Sequence, residues 1–171
     1  DFITAVFNGM NNQIYNAPID LFIEDLLYKT YPELRPFQFL SLLALQQEYM
    51  KSASNKQIIR YSSAFVRKAN LILNLVHCMQ FNDLFGYDLI STYGAAMQDL
   101  ALAKRFYQEY LTYQKNNQSL EAYKLIQRWA EELGIDKYFA LTEEKEYRAN
   151  PLHPPLQNGE SSPLSRGGRG V

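Results

Sequence analysis

Two carboxylates, Asp20 and Glu24, stand four residues apart in the stretch NQIYNAPIDLFIEDLLY, residues 12–28. On a helix that spacing puts both on one face, one turn apart. A pair so placed can hold a metal ion, act on a substrate, or face water with no ligand. Asn16 comes one turn before Asp20, and Pro18 lies between them. That reads as a helix start, with Asn16 as cap and Pro18 in the first turn, where its missing N–H costs nothing. The same start accounts for Asp20 without any ligand, because negative charge near a helix N-terminus typically stabilises by about 0.3–1 kcal/mol. Glu24 and Asp25 then form a solvent face, with Lys29 an i, i+4 partner for Asp25.

Other reactive side chains are few. His77 and Cys78 are adjacent, and adjacent helical residues point about 100° apart, a poor arrangement for one metal ion. His77, between Val76 and Cys78, reads as a half-buried helix residue, and His153 lies in a Pro-rich stretch. Cys78 is the single cysteine, so no internal disulfide forms. The glycines before residue 135 are isolated, and neither a phosphate-cradling loop nor a G-x-S-x-G turn occurs. A complete zinc site built from this chain alone is not expected.

Asn16 and Asp20, as N-x-x-x-D at the head of a helix that follows another helix, resemble part of the active site of zincin-type bacterial zinc metallopeptidases. In that family a first helix carries H-E-x-x-H, two His binding zinc and the Glu acting as general base. The next helix supplies an acidic third ligand. The resemblance covers residues 1–25. It implies Asp20 as third zinc ligand, with Asn16 and Glu24 as supporting groups. It also implies an H-E-x-x-H upstream of Asp1, because none occurs in the chain, and Pro18 inside the motif is a second departure. Zinc is therefore possible only with residues upstream of this chain, and no hydrolytic mechanism assembles from the residues present.

The elements that must position these groups are helical. Valine occurs four times and no segment alternates with period two over a strand's length. Phe2, Ile3, Val6, Phe7 and Met10 fall at helical spacing, and Gly9 with Asn8, Asn11 and Asn12 weakens the end of that first helix. Ile19, Phe22, Ile23, Leu26 and Leu27 give the second helix its apolar side. The two prolines of YPELRP, residues 31–36, end it. FQFLSLLALQQEYM, from Phe37, is apolar on most of its circumference and so reads as a central helix. A long helix is expected from about 55 to 81, a loop over 82–88, and a helix from about 88 to 115, bent at Gly94. Ser119 reads as the cap of a helix that ends at Gly134, with Leu120, Tyr123, Ile126, Trp129, Ala130 and Leu133 buried. A short charged helix fits 142–148. Residues 100–133 pair as a plain αα-hairpin rather than a tetratricopeptide-like unit.

The expectation is an all-α single bundle of about six helices over residues 1–150, followed by a disordered tail, 151–171. The tail holds four of the seven prolines and four of the eight glycines, too little apolar surface to offset its backbone entropy. Of the 171 residues 47% are apolar and 20% charged, with a formal net charge of −1. Dispersed Lys and Arg argue against a nucleic-acid partner, which needs a concentrated basic face. No apolar run is long enough to span a bilayer. With no signal-type N-terminal stretch, a cytoplasmic location is the expectation. The start at Asp1 within a helical pattern, without Met, points to a piece of a longer protein. Thirteen Tyr and ten Phe suit helix packing and core rims, where the ring buries and the hydroxyl stays wet. Two functional readings follow. One is the C-terminal part of a zinc-metallopeptidase-like protein, inactive without its H-E-x-x-H. The other is a non-catalytic helical module whose partner is a missing N-terminal segment or another protein.

Overall fold

The structure, a computed structural model, describes residues 2–116, 118 and 121–138. Among these residues there are six α-helices and no strand. They are α1 (Phe2–Thr30), α2 (Arg35–Ala53), α3 (Lys56–Tyr61), α4 (Ala64–Phe85), α5 (Met97–Lys115) and α6 (Ala122–Leu133). The expected all-α bundle of about six helices is what the chain forms. One compact unit spans Asp1–Asp136. The cap at Ser119, the helix at 142–148, the boundary at Asn150 and the tail 151–171 lie outside the described residues.

Helix α4 is the axis of the unit. Ile72, Leu73, Leu75 and Val76 are fully buried on it, and α1, α2 and α5 all pack against it. Ser63 starts it by accepting the Val66 N–H at 3.4 Å. Gly86 ends it in the left-handed region, φ 66°, a conformation glycine adopts without a Cβ clash. Helix α6 closes the bundle against α1 and α5. Phe106 and Trp129 stack there with ring centroids 4.9 Å apart, and the Trp129 indole N–H donates to Glu109 at 3.1 Å.

Three expectations change. First, α1 runs unbroken through Asn16 and Pro18, so Asn16 caps nothing and Asp20 stands mid-helix. Pro18 leaves the Ile14 carbonyl without its usual donor, a defect that costs about 3 kcal/mol in a helix interior. Burial of Ile14, Ala17 and Leu21 at about 1.5–3 kcal/mol for each large side chain outweighs it. Second, the helix expected over 55–81 is two helices. Asn55 caps α3 through the Gln57 N–H at 2.8 Å, and the chain turns extended at Ser62 and Ser63 before α4. Likewise the stretch expected as one bent helix over 88–115 is a 3-10 turn, Ile90–Tyr93, and a separate α5 beyond Gly94. Third, α2 is not central. Its only buried residues are Gln38 and Gln46, and Phe37 is 71% exposed. On α6, Tyr123 also points outward, and Ala122 and Leu125 take the buried positions with Ile126, Trp129 and Ala130.

Polar links set the register of α1. Gln13, Asn74 and Asn70 form a closed ring of side-chain amides. Gln13 donates to Asn74 at 2.7 Å, Asn74 to Asn70 at 2.9 Å, and Asn70 back to Gln13 at 2.6 Å. Two turns further on, the Leu21 carbonyl accepts from the Gln80 side chain at 2.6 Å and from the Tyr110 hydroxyl at 3.1 Å. Each contact that α1 makes here joins residues distant in sequence, so a slip of α1 by one residue would leave buried amides unpaired, at about 1–3 kcal/mol apiece.

Candidate functional site

Asn16, Asp20 and Glu24 recur at i, i+4 and i+8 along α1, so they share one side of it. That side borders α2. Gln38 of α2 donates to the Glu24 backbone carbonyl at 2.8 Å and to its carboxylate at 2.5 Å. The carbonyl oxygen of the Gln38 side chain is buried with no hydrogen-bond partner. Arg35, at the start of α2, donates to the Tyr28 carbonyl at 2.9 Å and lies over the Tyr28 ring, 4.2 Å from its centroid. The expected partner of Asp25 is present, with Lys29 at 2.7 Å.

Asp20 keeps accessible surface, yet protein packs closely round its carboxyl. That desolvation, and then the charge of Glu24, push its pKa up to about 6. Asp20 makes no hydrogen bond or ion pair among the described residues. Tyr49 of α2 lies near enough to feel it. The Tyr49 phenol is raised by burial first, then by the charges of Asp20 and Glu48. At the seam between α1 and α2, Asp20 of α1 and Glu48 of α2 thus both act on Tyr49.

No group of three or more His, Cys, Asp and Glu gathers among the described residues, and Glu24 is already engaged by Gln38. His77 is half-buried, and burial lowers its pKa to about 4. Cys78 is buried and donates to Gln46 at 3.3 Å. Desolvation pushes its thiol up to about 12, which leaves almost no thiolate at neutral pH.

The structure adds residues that were read from sequence as core. On α1, Ile19, Ile23 and Leu26 are exposed, the last by 62%. They fall at i, i+4 and i+7, opposite the buried Ile14, Ala17 and Leu21. On α2, Phe37 and Leu40 are exposed, with Ala44 continuing their line. Tyr31 and Leu34, between the two helices, are exposed as well. The signal was present in the sequence, since α2 is apolar nearly all round. An α2 packed on all sides and an α2 with one apolar side open give the same pattern.

The fold and the seam define a helical bundle with an apolar, carboxylate-edged outer face. No family model, curated protein or solved structure matches the chain.

Proposed function

We propose that this domain is a non-catalytic helical interaction module that docks a partner on the outer face of the α1–α2 pair. One observation carries the reading. Large apolar side chains stand open to solvent at helical spacing on both helices, while the inner sides of those helices are occupied by α4. Exposed apolar side chains that repeat along one side of a helix suit docking of a partner better than scattered single residues do. Site-specific photocrosslinking in the native host tests it. A crosslinker at position 37 should give a discrete adduct that the same group at the exposed Lys104 does not give. Indistinguishable adducts from both positions would overturn the reading.

A second reading is favoured by Asp20, whose carboxyl is crowded, raised in pKa and unbonded among the described residues. It makes the domain the C-terminal part of a bacterial zinc-metallopeptidase-like protein, with Asp20 as third ligand and Asn16 and Glu24 in support. The zinc would then need ligands from upstream of Asp1. Sequencing the coding region upstream is decisive for it, because absence of an H-E-x-x-H there ends this reading.

A further inference from the structure

The charge around the docking face is uneven, and the unevenness selects a partner. Residues 19–53, to the end of α2, carry five carboxylates against three cations, Lys29, Arg35 and Lys51, in a chain whose formal net charge is −1. Lys29 is engaged by Asp25 and Arg35 by Tyr28, and Lys51 is exposed in the last turn of α2. Asp20, Glu33 and Glu48 are exposed and form no ion pair among the described residues. Asp20 and Glu48 act together on Tyr49, and Glu33 stands in the turn that joins α1 to α2. The apolar residues of the face therefore lie in a region where carboxylates outnumber cations.

Resting on the interaction reading above, we propose that the partner on this face is a basic amphipathic helix, with apolar residues at helical spacing and Lys or Arg between them. The apolar line from Ile19 to Leu26 spans about 10 Å, and that from Phe37 to Ala44 the same, which matches two turns of a docked helix. Other occupants are disfavoured by charge. A second copy placed face to face brings together two surfaces of the same net negative charge. An anionic lipid leaflet and nucleic-acid phosphates meet the same repulsion. A basic helix meets no such repulsion, and complementary charge also speeds encounter.

The probe is a fluorescein-labelled peptide of about 18 residues, built of Leu at helical spacing with Lys between, titrated against the full chain. A matched peptide with Glu for Lys is the control. The basic peptide is expected to bind and the acidic one not. The combined variant Asp20→Asn, Glu33→Gln, Glu48→Gln should weaken the basic peptide about three- to tenfold and flatten its salt dependence. Phe37→Ser and Leu40→Ser should each weaken it as well. Equal binding of both peptides, lost in Phe37→Ser, would overturn the basic partner and leave the docking face standing. Binding unaffected by Phe37→Ser and Leu40→Ser, or no binding of either peptide, would overturn the docking face for a helix altogether. Self-association in sedimentation, abolished by Phe37→Ser, would assign the face to a second copy and end the proposal.

Discussion

The carboxyl of Asp20, raised to about 6 by the protein around it and by Glu24, favours the protonated form on folding. Its contribution to stability is full below the unfolded-state value near 3.8 and is lost as pH rises through about 6. His77 has the opposite sign, since burial lowers it to about 4. Its stabilisation is present above the unfolded value of 6.5 and is lost as pH falls toward 4. The two slopes oppose each other over one window. His77→Asn should therefore remove a loss of roughly 1–2 kcal/mol between about pH 7 and pH 5, seen as flatter urea midpoints. Asp20→Asn should raise stability at neutral pH and steepen the acid loss. If neither variant changes the slope, the environments assigned to both groups are wrong. The amide ring gives a third residue-scale test. Asn74 is fully buried, and Asn74→Ala removes the acceptor of the Gln13 amide N–H and the donor to the Asn70 side-chain oxygen, costing about 1–3 kcal/mol in chemical denaturation. That Asp20 and Glu24 share a face was legible from their spacing. The neighbours that set their chemistry, Gln38 and Tyr49, come from another helix, and no spacing along the chain announces them.

At the level of elements, what the sequence announced were the stops with a covalent cause. The prolines of residues 31–36 separate α1 from α2, and Gly134 ends α6 at φ 69°. What it concealed were outcomes decided by packing. Pro18 reads as a helix start because its backbone defect is local, whereas the burial that carries α1 through it is tertiary. The break at Ser62 and Ser63 was hidden because serine is neutral in a helix and marks a boundary only when it caps. The cap is testable. Ser63→Ala should destabilise by about 1 kcal/mol, measured as a shift in thermal midpoint. Helix α2 makes the opposite case. Phe37→Ser and Leu40→Ser should change stability by no more than about 0.5 kcal/mol, because the removed surface is already wet. A loss of about 2 kcal/mol or more would mean that these side chains are core, and the docking reading would lose its ground.

For the molecule as a whole, the question is whether α2 belongs to the same cooperative unit as the rest. Cys78 is covered by α2, with Phe39, Leu42 and Leu43 packed on the small cluster of Cys78, Phe81 and Leu89. Its thiol bonds to Gln46 of the same helix. Trp129 lies elsewhere, stacked on Phe106 between α5 and α6, and is the only tryptophan. The two therefore report on different parts of one unit. Helix α2 buries two glutamines, and its apolar side chains are at most partly buried, while α6 buries Leu125, Ile126 and Trp129. Elements with few buried apolar contacts open at lower free energy than the whole. In a urea series, Cys78 should begin to react with a thiol reagent below the concentration at which Trp129 fluorescence changes. Opening is necessary for that reaction, since burial holds the thiol protonated. Coincident midpoints would make α2 part of a single two-state transition. Separate midpoints would make it an element that can move to meet a partner while the α4–α5–α6 core stays folded.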